Sequence, residues 1–417
     1  MKITDVRATW IRYPIPEGQQ HVSDFGRLAT FDMTLVEVET EAGITGYGEA
    51  KAQVGSASDN HALLALIRHE LKPLLVGRDP RQISALWEEM YSGTRAHYAL
   101  GRGRGFPILG RRGLTVSAMS GIDMALWDIL GKSLEVPVYQ LLGGKCRDAL
   151  PAYASGGWAD AAAIGAQLQG YIERGGFRAV KMRVGVMDGT VEHSVDRVRA
   201  ARAALGSDIG LMVDAHGTFS VREAQRFARK VSDCDLTWFE EPVNADDKAG
   251  QAEVRSSTDI PIASGESEFT RFDFRDLITL HAVDILQPDL AIMGGLTEAV
   301  RVAAMAGAFQ LTVAPHLWGS ALLFASGLQL AAATPNCTIL EYSLGFNPLL
   351  HELVHESPVV RNGHMYIPDR PGLGVTLNRD FVRQYRVDDD HTPCETESRQ
   401  EDAESHGRFG NHSTDVR

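Results

Sequence analysis

Three carboxylates occupy matching places in the chain: Asp214 in GLMVDAHG, Glu240 in LTWFEEP and Glu266 in IPIASGE. Each closes a short apolar run, and the three are evenly spaced along the sequence. Acids held together repel one another unless a cation sits among them. Hard oxygen donors suit Mg2+, which prefers octahedral oxygen and keeps positions open for water or substrate. Strand-end acids also serve as helix N-caps or solvated loop residues, but three in step favour a metal, one Mg2+ per subunit. Lys181, Arg183, His216, Asp289, His316 and Glu341 end strands of the same series, and together with the three acids these strand ends recur about once per β/α unit. His216 stands two residues after Asp214, on the same side of a strand. An imidazole shuttles protons near pH 7. The plainer readings are a satisfied core histidine for His316 and a hydrogen-bond partner of a carboxylate for His216.

Such residues need a scaffold that gathers distant strand ends. From Val138 to about Leu344, eight short apolar strands recur at near-regular intervals, with helical stretches between them. They are PAYASGG, RAVKMRVG, GLMVDAHG, LTWFEEP, IPIASGE, VDILQPDL, LTVAPH and CTILEY. Strand alternating with helix predicts a parallel sheet. Eight strands in about 200 residues fit a β/α barrel, whose C-terminal strand ends meet at one mouth. Region 1–137 reads as an α+β unit. Its strand FDMTLVEVE turns at Gly43, and the helical patterns HALLALIRHELKPLL, ISALWEEMYSG and VSAMSGIDMALWDILGKSL follow. Region 345–387 carries the strand-like segments HMYIP and GVTL.

The 417 residues are 44% apolar and 23% charged, ordinary for a globular protein large enough to need no staples. The net charge of −13 argues against a nucleic-acid binder, whose footprint is basic. Residues 388–417 hold nine acids and three arginines with few apolar side chains, so −6 of that charge falls on a segment expected to be disordered. Cys146, Cys234, Cys337 and Cys394 form no CxxC pair and fit reduced thiols in a cytoplasmic enzyme. The N-terminus lacks the apolar core of a signal peptide. The low-charge stretch Leu317–Leu340, broken by glycines and Pro335, reads as a buried helix and turn, not a membrane span.

VKMRVG, MVDAHG, WFEEP, SGE, QPD, APH and LEY, in this order, resemble the enolase superfamily, mandelate racemase-like branch. The likeness covers nearly everything but the tail, including AMSGIDMALWDILGK and YQLLGG. It implies an α/β fold: a modified TIM-like (β/α)7β barrel with an α+β capping domain built from 1–137 and 345–387. It also implies Mg2+-assisted proton abstraction next to a carboxylate, the superfamily's known chemistry. By that resemblance Asp214, Glu240 and Glu266 match the metal ligands, and Asp289 and His316 match an Asp–His dyad. Glu341 matches the acid that hydrogen-bonds a substrate carboxylate oxygen, and Lys181 faces that carboxylate. Glu241 falls beside the ligands. Homo-oligomers are common in the family.

Two departures shape the functional expectation. Racemases of this branch carry Lys-x-Lys, whereas this chain has Lys181-Met182-Arg183. Arginine keeps its proton and is a poor base, but its fork of donors suits an oxyanion. Asp214-Ala215-His216 resembles the Asp-x-His of sugar-acid dehydratases, whose histidine protonates the departing hydroxyl. The expectation is a dehydratase of an aldonate or aldarate giving a 2-keto-3-deoxy acid. The alternative is a racemase, an epimerase or a lactone cycloisomerase on the same enediolate. A non-catalytic protein of the same fold is disfavoured by the intact set of residues. Substrate selection is expected from His21 and Arg27 in PEGQQHVSDFGRLAT, from Trp318, and from His97, Tyr98, Arg102, Arg104, Arg111 and Arg112 in a second loop. Those arginines equally suit solvated positions against neighbouring subunits.

Overall fold

A computed structural model describes residues 1–24, 26–55, 57–105 and 111–387, with the backbone alone at 21–23. The acidic run from Asp388 lies outside the described residues.

Strand β1 (Ile3–Pro14) is followed by a small hairpin, β2 (His21–Ser23) and β3 (Gly26–Leu28), then by β4 (Thr30–Thr40) and β5 (Thr45–Ala50). An antiparallel sheet of order β1-β4-β5 results. The turn at Gly43 is the expected one, with φ 76 and its N–H on the Thr40 carbonyl. Alternation along β4 serves two cores. Phe31, Met33 and Leu35 face Leu349, Leu353 and Phe381, while Val36 and Val38 face the helices. On β5, Gly46 and Gly48 lie against helix Leu114–Ser133 so closely that a Cβ would fall 2.0 Å from its Ala125 and Gly121 carbonyl oxygens. The HALLALIRHELKPLL helix widens into a π turn at Leu66–Leu71. Pro73, which has no N–H to give, sits just beyond that turn.

Eight parallel strands then form the barrel: β6 (Ala149–Ser155), β7 (Ala179–Arg183), β8 (Gly210–Asp214), β9 (Leu236–Glu240), β10 (Ile262–Ser264), β11 (Ile285–Leu286), β12 (Thr312–Val313) and β13 (Leu340–Ser343). Their order is β12-β11-β10-β9-β8-β7-β6-β13, and a bridge between Val313 and Cys337 ties the two ends. Seven long helices link successive strands, from Ile164–Gly175 to Ala321–Ala333, which gives the (β/α)7β arrangement. The last of these is the buried helix expected near Leu317–Leu340. Among the described residues, no helix is long and apolar enough to cross a membrane.

Period-two alternation sets the site. Tyr153, Ala179, Met212, Trp238, Ala263 and Ala314 form an apolar cluster inside the barrel, with Ile285 and Ile339 packed on it. Two residues further on, the same inward face carries Lys181, Asp214, Glu240, His316 and Glu341. Strand β10 departs from this count. Gly265 adopts φ +141, a conformation closed to most side chains, and a Cβ there would meet Phe274 at 2.7 Å. The chain is thereby turned so that Glu266, not residue 265, joins the site.

The C-terminal segment is shared. Hairpin β14 (Val360–Arg361) and β15 (His364–Tyr366) adds to β6 of the barrel, whereas helix Arg379–Tyr385 packs on β1. HMYIP is therefore a strand as read, but GVTL is not. Gly372 and Gly374 hold positive φ and Asp128 takes the Leu373 N–H, which leaves Leu377 a single bridge to Val354.

The two units are also joined at helix Gly295–Ala308. Its Gly294 N–H donates to Ser120 Oγ (2.8 Å), and Thr297 N–H donates to Asp123 (2.9 Å). The indole of Trp87 donates to the Gly294 carbonyl (2.9 Å). Side chains from region 1–137 thus cap a barrel helix whose own Gly294 has none to offer.

Candidate active site

One carboxylate oxygen each from Asp214, Glu240 and Glu266 lies within 4.8 Å of the other two, and all three side chains are buried. Burial and mutual repulsion push Glu240 up to about 7 and Glu266 well above the usual carboxylate range. Burial opposes charge on Asp214 as well, but Arg183, His216 and Lys181 outweigh it and hold Asp214 well below that range. Oε2 of Glu266 has no hydrogen-bond partner among the described residues. Buried oxygen donors, one of them unsatisfied, fit a hard divalent cation.

Two basic groups border the triad. Lys181 Nζ lies 2.5 Å from Glu240, 3.1 Å from Glu341 and 3.4 Å from Asp214. Burial disfavours its charge, yet Glu240 and Glu341 hold its proton well above the ordinary lysine range. Arg183 pairs with Asp214. Glu341 also accepts the Leu317 N–H (2.8 Å), and despite burial the Lys181 charge brings its carboxyl down to about 2.

Two histidines flank the same carboxylates. His316 Nδ1 meets Asp289 at 2.9 Å while its Nε2 lies 3.5 Å from Glu266. His216 Nε2 lies 3.8 Å from Asp214. Burial, then the Arg183 charge, lowers the His216 pKa; for His316 the neighbouring Glu266 and Asp289 overcome burial and raise it. His216 (φ 45) and Glu241 (φ 37) both adopt left-handed backbone beside the site, a strain typical of functional positions. Glu241 is buried, and burial followed by repulsion from Asp214 pushes it up to about 8.

The structure therefore gathers Asp214, Glu240, Glu266, Lys181, Arg183, His216, Asp289, His316 and Glu341. The loop residues fare differently. The side chain of His21 lies outside the described residues. Arg111 pairs with Glu70 and Arg112 with Asp273, so these two are engaged by neighbouring helices. His97 and Arg102 are exposed, and both contact the Tyr98 ring. Trp318 is buried edge-on against Trp158. Its carbonyl is engaged too, by a residue that sequence reasoning missed.

That residue is Lys51, 4% exposed at the end of β5. Its Nζ donates to Asp289 (2.9 Å) and to the Trp318 carbonyl (2.8 Å). Burial would raise the Asp289 carboxyl, but the Lys51 ammonium and the His316 hydrogen bond hold it below its ordinary value. Glu49 and Lys51 share one face of β5, opposite its glycines; a buried acid and lysine two apart were the available signal. Lys51→Met is expected to lower kcat by roughly 10–100-fold with KM nearly unchanged, because Asp289 loses a partner that the reacting groups need and binding does not. Steady-state kinetics on the wild type and variant check this.

A family described as "Enolase C-terminal domain-like" matches residues 163–381, and one described as "Mandelate racemase / muconate lactonizing enzyme, N-terminal domain" matches 10–143. The chain belongs to the enolase superfamily. It is similar to the D-galactarolactone cycloisomerase of Agrobacterium fabrum, with 34% identity over 93% of this chain and 100% of the relative. It is also similar to the arabinonate dehydratase of Saccharolobus solfataricus, with 32% identity over 92% of this chain and 99% of the relative. A Streptomyces coelicolor racemase solved with bound magnesium superposes with a TM-score of 0.80 at 32% identity, covering 92% of this chain and all of that one. The enolase-superfamily assignment accounts for both the cap and the barrel, and makes this chain an enzyme of that superfamily. The activities of its relatives differ among themselves.

Proposed function

We propose that this enolase-superfamily member is a Mg2+-dependent dehydratase of an aldonate or aldarate. The observation that carries the reading is the second histidine: His216 beside Asp214, facing the same carboxylates as His316. Dehydration needs a base for the α-proton and an acid for the β-hydroxyl, since hydroxide leaves poorly. A Mg2+ held by Asp214, Glu240 and Glu266 would supply a Lewis acid for the substrate carboxylate.

His316 Nε2 takes the α-proton, with Nδ1 held by Asp289. Negative charge then grows on the substrate carboxylate, where the ammonium of Lys181 and the guanidinium of Arg183 offset it. Glu341 holds the Lys181 ammonium in place beside that carboxylate, at 3.1 Å. His216 gives a proton to the β-hydroxyl as the Cβ–O bond breaks, and water departs. The enol left behind becomes the 2-keto-3-deoxy acid. Racemisation would need a base on each face. Lys181 is enclosed by three carboxylates and Arg183 keeps its proton, so neither supplies a second base.

The second reading is a lactone cycloisomerase, favoured by full-length similarity to the Agrobacterium fabrum protein. A panel of aldonates, aldarates and their lactones with Mg2+, scored for product mass and 2-keto acid, separates the two. Loss of water supports the dehydratase. Conserved mass with solvent-deuterium incorporation supports the cycloisomerase.

A further inference from the structure

His216 has a partner from outside the barrel. Asp24 lies in the turn between β2 and β3, and its Oδ2 is 2.5 Å from His216 Nδ1. The pair is 192 residues apart in sequence, and the side chains are 13% and 6% exposed. At the other ring nitrogen, Nε2 lies 3.8 Å from Asp214. The ring is thus held by a carboxylate behind it and turned towards the triad in front of it. His316 has the same layout, with Asp289 on Nδ1 and Glu266 near Nε2. The site contains two Asp–His pairs of like geometry. One is built wholly within the barrel; the other draws its aspartate from region 1–137.

We propose that Asp24 is a positioning residue for the proton donor of the elimination step: it fixes the His216 ring with the proton on Nδ1, leaving Nε2 to carry the proton that reaches the leaving hydroxyl. This inference rests on the dehydratase reading and deepens it. A carboxylate on one imidazole nitrogen selects the tautomer, orients the ring and supports the cation formed when the other nitrogen is protonated. In the step itself, the Cα–H proton passes to His316 Nε2 and the Cβ–O bond breaks. The hydroxyl leaves as water with the Nε2 proton of the His216 imidazolium, which becomes the neutral Nδ1–H ring and regains its proton from solvent before the next turnover. Asp24 makes no contact with the reacting atoms and exchanges no proton. Asp24 therefore ties the rate of elimination to region 1–137.

The test uses the full chain with Mg2+, the sugar acid of the panel that turns over, and the 3-deoxy-3-fluoro analogue of that acid. Fluoride departs without a proton, so its loss does not need His216. Asp24→Ala is expected to lower kcat for the hydroxyl substrate by about 10–100-fold. KM and fluoride release should stay within about threefold of wild type. His216→Asn should show the same leaving-group pattern, and Asp24→Ala/His216→Asn should be no slower than His216→Asn alone. Equal losses on both substrates, or additive losses in the double variant, would overturn the proposal. Nitrogen-15 NMR of labelled histidine gives a readout independent of turnover. Wild-type His216 is expected to keep Nδ1 protonated against Asp24 both as the neutral ring and as the imidazolium that also carries the Nε2 proton, and Asp24→Ala should shift the Nδ1 signal. An unchanged Nδ1 signal would overturn the positioning role itself. A wild type that forms no keto acid from any panel member would instead overturn the dehydratase reading, with the NMR result still deciding whether Asp24 sets the ring.

Discussion

Replacing His316 with asparagine is expected to reduce turnover by about 10²–10⁴-fold, the usual contribution of a positioned general base. The same variant should stop exchange of the substrate α-proton with deuterated solvent, because neither Lys181 nor Arg183 can take its place. Lys181 is fixed as an ammonium among Glu240, Glu341 and Asp214, and Arg183 is bound to Asp214. Asparagine fits the volume and can still meet Asp289, so the fold and Mg2+ affinity should survive. Exchange measured by NMR, together with kcat, checks the assignment; near-normal exchange in the variant would move the base elsewhere. The contrast with His216→Asn is informative. Losing His216 should slow elimination while exchange continues, since the two histidines serve different bonds.

Glu266→Gln is expected to abolish Mg2+ binding and turnover together. Replacing a partner of a metal ligand typically costs about 10–100-fold in affinity, and removing a ligand should exceed that. Calorimetric titration of Mg2+ into wild type and variant measures it. The sign of the stability change is the more telling result. Burial and the neighbouring Asp214 and Glu240 charges already disfavour a charged Glu266. The metal-free variant should therefore unfold at a higher temperature than the metal-free wild type, while added Mg2+ stabilises only the wild type. A site that gained stability on losing function would show that its carboxylates are assembled for a cation and not for the fold.

The barrel half of the site is legible in the sequence because a strand writes its inward face at every second residue. Ala179 and Lys181, Met212 and Asp214, Trp238 and Glu240, Ala314 and His316 repeat one pattern, apolar floor then polar lid, at nearly constant intervals. The pattern survives where β12 shrinks to two residues, whereas at β11 the site residue Asp289 comes four residues after the inward Ile285. Asp24 and Lys51 follow no such rhythm. They reach the site by the docking of one unit on the other, a relation between surfaces that no local period records. In PEGQQHVSDFGRLAT the histidine and arginine carry the chemical signal, yet it is Asp24 that contacts His216. Arg111 and Arg112 misled for a related reason. A run of cations suggests an anionic ligand, but each has an acidic partner remote in sequence, Glu70 for one and Asp273 for the other. GVTL alternates like a strand, but its neighbouring glycines and the Asp128 acceptor bend it out of pairing.

The capping of helix Gly295–Ala308 by Ser120, Asp123 and Trp87 sets a rule for recombination. Swapping region 1–137 for that of a dehydratase relative would carry segments 20–28 and 95–112 with it. A graft would also exchange the groups that satisfy Gly294 and Thr297. A donor lacking an acid at the place of Asp123 would leave the Thr297 N–H and hydroxyl without an acceptor, at about 1–3 kcal/mol for each buried group. Grafts that keep those three side chains and change only the loops should express as folded protein. The seam between the units is thus a compatibility code, written in the partners of one barrel helix and not in the groups that meet the substrate.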